Sequence, residues 1–141
     1  MASETYIKGS KEFADNDTDW AASDIRYMLV AAGFTPDKTD AFLSDVAASR
    51  YGGLTQADDP TAAGLSCVIT ATHAEMRGTL TTFPSVAFNT GNAIGVVAYR
   101  WVTTEANSPV LAYDEFTVAV TPDGNNIDYT PAATGVFRHA H

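Results

Sequence analysis

Few residues in this 141-residue chain have the type and spacing that chemistry needs. His73 and Glu75 form an H-x-E. In zinc deaminases such a His binds metal and the Glu shuttles protons, but a P-C-x-x-C must complete the ligand set. The one cysteine, Cys67, stands upstream of His73, so the set is incomplete. "DNDTD", Asp15 to Asp19, spaces carboxylates like the start of a calcium loop. An EF-hand wants Gly at the sixth position and Glu at the twelfth. Trp20 and Arg26 stand there, which leaves a solvated acidic turn. Cys67 as a nucleophile would need a base within hydrogen-bond reach. It alternates with Leu65 and Ile69, so it is expected to point into a core as a small hydrophobe. "GLSCV" lacks the final Gly of a nucleophile elbow. "NTGNAIG" leads into a strand pattern, not into the helix that a phosphate loop requires. The terminal "HAH" is too short for a dependable metal site. The spacings predict no enzyme, no metal and no cofactor.

Aromatic residues are the remaining candidates. Trp20, Phe42, Tyr99 and Trp101 are the expected interaction residues. Tyr99 and Trp101 share a strand face if "AIGVVAYRWVTT" is extended, and could line a sugar or peptide groove. Cross-strand packing is the competing use of such a pair.

Composition narrows the classes further. Acidic residues number 17 against 8 basic ones, a net charge of −9. Nucleic-acid binding needs clustered Lys and Arg to displace counterions, so no nucleic-acid partner is expected. Docking on an anionic membrane is disfavoured for the same reason. No apolar run reaches the ~18 residues of a membrane span. The N-terminal stretch lacks a signal-peptide h-region, and synthesis in the cytoplasm is the expectation. With 45% apolar residues the chain can bury a core.

The elements that must carry these residues are mostly strands. Residues 1–20 read as a polar N-terminal arm, and residues 21–141 as a single β-rich domain. Residues 25–31 are apolar on both alternating sets, which suits a strand covered on both faces. "GFTPD" turns the chain, and one short helix is predicted near residues 39–48, capped by Thr39 or Asp40. Its packing pairs would be Phe42 with Val46 and Leu43 with Ala47. After the loop "YGGLTQADDPTAAG" come "GLSCVITAT", "MRGTLTTF", "SVAFNTG", "AIGVVAYRWVTT", "VLAYDEFTVAV" and "GVFRH". All are rich in β-forming residues and are separated by turn signals. "TPDGNN" is a hairpin candidate between "FTVAV" and "IDY". The expected fold is all-β, mainly an antiparallel sandwich or barrel, with that one short helix.

The order of segments carries a resemblance. "DIRYMLVAAGFTPDKTDAFLSDV" is similar to the start of a group of small tailed-bacteriophage virion proteins. Those share a hydrophobic strand, small residues, Y/F-T-P-D, then D/H-x-F/W-x-S-D-V. "LTTFPSVAFNTGNAIGVVAYRWVTTEANSPVLAYDEF" resembles the central strands of that group, with Asn107 to Tyr113 standing in for a T-x-x-S-P-L-I-x-Y segment. The resemblance spans roughly Asp24 to Phe137. It implies a non-enzymatic structural protein of a virion, made in the host cytoplasm. A capsid decoration or accessory role on the outer shell is the leading expectation. A tail component, tube-associated or at a fibre base, is the alternative, as is a carbohydrate- or receptor-binding module. The implied partners are copies of itself and other virion proteins, either the major capsid protein or tail proteins.

Overall fold

The computed structural model describes residues 4–133 and 135–140, the last four by backbone alone. Among these residues, nine strands and two α-helices follow in the order β1 (Glu4–Thr5), α1 (Ile7–Ala14), β2 (Ile25–Ala31), α2 (Leu43–Val46), β3 (Ser66–Ile69), β4 (His73–Arg77), β5 (Thr81–Phe83), β6 (Ala93–Arg100), β7 (Val110–Val120), β8 (Ile127–Tyr129) and β9 (Phe137–Ala140). Every strand pair is antiparallel. The fold is all-β and sandwich-like, as the strand spacing predicts.

A four-stranded sheet in the order β1-β7-β6-β2 forms the middle layer. Side chains alternate across its plane, as strand geometry demands. Ile25, Tyr27, Leu29, Val96 and Ala98 face one core, with Met76, Phe83, Ile127 and Tyr129 from the smaller sheets β3-β4-β9 and β5-β8. Met28, Val30, Val97 and Tyr99 face a second core with Tyr6, Leu43 and Val46. The continuous apolar runs of β2 and β6 therefore reflect burial on both faces.

The α2 region sits close to its expected place but packs differently. The α-helix is four residues long and runs on into a 3₁₀ turn over Ala47–Ser49. Asp45 starts it, because its Oδ2 accepts the backbone N–H groups of Ala41 and Phe42 at 3.0 and 2.9 Å. Asp37, not a helix cap at Thr39, organises the preceding turn through the Thr39 N–H. Leu43 and Val46, three apart, are buried, while Phe42 is half-buried. The expected pairs were four apart, which is the spacing of a longer helix.

Other differences have physical reasons. Residues 4–20 do not form a free arm: β1 pairs with β7, and α1 lies against the same strand. Tyr6 and Trp20 are buried. The helix docks through Gly9, where an added Cβ would lie 2.4 Å from the carbonyl oxygen of Leu111. The proposed hairpin does not form. β8 pairs with β5, in register Thr81↔Tyr129 to Phe83↔Ile127, so "TPDGNN" turns the chain toward another partner. "SVAFNTG" contains no strand. β6 ends at Arg100, which takes Trp101 out of the strand. Cys67 is exposed, because β3 is an edge strand and its alternate face is not covered.

Gly9→Ala pits the better helix propensity of Ala against a clash with strand backbone. The clash is expected to win, with a loss of about 1–3 kcal/mol in urea unfolding. Leu43→Ala is expected to cost about 2–5 kcal/mol, and Phe42→Ala clearly less. An unchanged midpoint for Gly9→Ala would contradict the docking of α1.

Candidate functional site

The four aromatic candidates do not gather into a groove. Trp20 is buried, and its Nε1–H donates to the carbonyl oxygen of Arg77 at 2.7 Å. Tyr99 is fully buried, and its hydroxyl donates to Asp59 Oδ2 at 2.7 Å. Phe42 and Trp101 are half-exposed, and each carries a cation over its ring. Lys8 Nζ lies 5.2 Å from the Phe42 centroid, and the Arg26 guanidinium 5.4 Å from that of Trp101. Such contacts hold a ring in place. A sugar stacking on Trp101 would have to compete with Arg26 for that ring face, and Tyr99 is not accessible to one.

A set of ion pairs that local spacing does not reveal ties distant segments together. Arg26 pairs with Asp24 through two bonds, at 3.1 and 3.0 Å. Arg50 grips Asp59 at 3.2 and 2.7 Å and reaches Glu105 at 3.1 Å. Arg100 donates to Glu12 Oε2 at 2.9 Å, joined by Thr18 Oγ1 at 2.7 Å. Lys8 Nζ lies 2.9 Å from the other Glu12 oxygen. Burial works against the Arg50 charge, but the bonds and charges of Asp59 and Glu105 more than offset it and raise its pKa. Burial raises the Asp59 carboxyl, against the hydrogen bonds from Arg50 and Tyr99. Burial also disfavours the Glu12 charge. Hydrogen bonds from Thr18 and Lys8, with the charges of Lys8 and Arg100, outweigh it and hold that carboxyl below its ordinary value.

The connection from β6 to β7 is braced by the same means. Val102 N–H donates to Ser108 Oγ at 2.8 Å, and Ser108 Oγ–H to the Thr104 carbonyl at 2.7 Å. Trp101 N–H bonds the Asp24 carbonyl at 2.8 Å. The outcome is a hydrogen-bonded rim carrying a partly buried tryptophan, the kind of anchor that protein interfaces favour.

His73, Glu75 and Asp19 are engaged in local hydrogen bonds. His73 Nε2 lies 3.1 Å from Glu75 Oε1, and Arg77 Nε donates to Glu75 Oε2 at 2.9 Å. Bonds from Arg77 and then His73 lower the Glu75 carboxyl. Asp19 Oδ1 accepts the N–H groups of Ala21 and Ala22, an acidic turn. Among the described residues, no three of His, Cys, Asp and Glu are grouped to hold a metal. The side chains of the terminal "HAH" lie outside the described residues. A groove of about 350 Å³ runs past Asp114, Phe116, Val118, Asp128 and Tyr129. Its Asp114 accepts the Tyr129 hydroxyl and its Asp128 the Thr82 hydroxyl. Among the described residues no helix is long and apolar enough to cross a membrane.

The Glu12 cluster gives a signed pH dependence. Its carboxyl titrates lower in the fold than in the unfolded chain. The stability it confers is therefore present above the unfolded value of 4.5 and is lost as pH falls through the folded one. Glu12→Gln is expected to cost about 1–3 kcal/mol at pH 7. It should also flatten the decline in melting temperature on acidification below about pH 4.5. A parallel decline in both proteins would contradict this assignment.

Compared with known proteins, the chain matches no family model, no curated protein and no solved structure.

Proposed function

We propose that this chain is a non-enzymatic structural protein of a tailed-bacteriophage particle, acting as a capsid decoration or accessory protein on the outer shell. The observation that carries the reading is how the resembling segments meet. "DIRYMLVAAG" forms β2, "AIGVVAYR" forms β6, and "SPVLAYDEF" leads into β7; these are consecutive neighbours in the central sheet. The segment leading into α2 locks onto the last of them. Val110 N–H bonds the Ala41 carbonyl at 3.0 Å, Leu43 N–H bonds the Ser108 carbonyl at 2.8 Å, and Phe42 bridges Pro109. Segments scattered over about 90 residues of sequence thus make one contiguous unit. A resemblance carried by interlocking segments supports a shared fold better than one carried by a single motif.

The chemistry of the molecule is compatible with this role. Asp24, Asp59 and Glu12 are engaged with arginines, and Phe42 and Trp101 are each stacked by a cation. What the site offers a partner is a stiff rim and a largely acidic exterior. A shell protein needs those properties and no reactive group.

Purified protein mixed with shells assembled without it should co-sediment with them. Protein left in the supernatant, stacking into tubes instead, would overturn the shell assignment in favour of a tail role.

A further inference from the structure

The central sheet covers its β2 edge and the first part of its β7 edge. On the outer side of β2, Tyr27 N–H bonds the Pro60 carbonyl, Ala62 N–H the Ile25 carbonyl, and Tyr51 N–H the Leu29 carbonyl. On the far side of β7, β1 pairs with Ala112 and Tyr113. β3 has no such cover. Its one neighbour among the described residues is β4.

The ladder shows which groups are left over. Thr70 N–H donates to the His73 carbonyl at 2.8 Å, and the register continues through Val68↔Glu75 and Ser66↔Arg77. Bonded and non-bonded pairs alternate along an antiparallel ladder. The backbone N–H and C=O groups of Cys67 and Ile69 therefore point away from β4. Their side chains are exposed too, Ile69 by 74%. None of the usual guards is present: residues 66–69 contain no Lys and no Pro, and the β3–β4 register has no bulge.

We infer that β3 is a pairing edge for a second copy of this chain, joined antiparallel about a twofold axis at Val68. Cys67 of one copy then faces Ile69 of the other. The outward N–H and C=O of each meet their complements, in two bonded pairs related by the axis. The pattern is self-complementary, as an isologous contact must be.

Charge does not oppose a like partner here and disfavours one elsewhere. The chain carries a net −9, so most faces of two copies repel. Residues 61–72, "TAAGLSCVITAT", contain no charged side chain. Two copies of this stretch meet without like-charge repulsion and cover each other's Ile69. Two three-stranded sheets would join into one of six strands, counting three in each copy.

This contact adds to the particle reading without depending on it. Free protein suffices to test the contact, whereas the particle reading is tested with shells, so either can fail alone.

The test is sedimentation of the wild-type chain at rising concentration, with reductant present, combined with residue-level amide exchange. The expected result is reversible dimerisation in which the Cys67 and Ile69 amides become protected as concentration rises. The Ser66 and Val68 amides, already bonded to β4, should be unaffected. Ile69→Lys places a charge on an exposed edge position, and should give a monomer with an unchanged melting temperature. A wild-type monomer at every concentration up to about 1 mM would overturn the inference. So would a dimer whose Cys67 and Ile69 amides exchange at the monomer rate. Should Ile69→Lys fail to fold, the wild-type exchange pattern decides alone.

Discussion

From Val96 to Tyr99 every residue of β6 is buried, and the side chains leave the strand in both directions. A strand of that kind must be covered twice. One cover comes from α2, Tyr6 and Phe34, and the other from the two small sheets with Trp20 and Tyr51. Burying Tyr99 brings a polar consequence as well. Its hydroxyl needs a partner away from water, and Asp59 provides one. Asp59 in turn needs a cation, Arg50, whose Nη1 donates to Glu105 in the β6–β7 connection. Two loops far apart in sequence are thereby tied across the end of one strand.

Much of the sheet was legible. The double-sided apolar run marks β2 over the seven residues it occupies, and "VLAYDEFTVAV" coincides with β7. α1 was not legible, for a physical reason. "IKGSKEFA" docks through Gly9, the buried Glu12 and Phe13, and its Ile7 is exposed, so its buried face carries only one large apolar side chain. Turn residues likewise mark where the chain reverses and leave the choice of pairing strand to the core. "TPDGNN" is followed by a strand that joins β5. Alternation tells which side chains share a face. It does not tell whether that face is covered, and on that point the expectation for Cys67 failed.

The candidate site was less legible than the fold. Trp101 was singled out for its type, but what fixes it is Arg26 and the braced connection behind it. The ion pairs nearby join residues 88, 55 and 9 positions apart, and only the folded sheet brings them together. The same pairs engage the carboxylates that would otherwise suggest acid–base chemistry, and they stiffen the rim.

The role proposed for this chain is that of a component of a phage particle. Mass-spectrometric counting of its copies in purified particles tests this most directly. A shell role predicts a copy number comparable to that of the shell subunit, retained through gradient purification. Particles that contain none of the chain would contradict it.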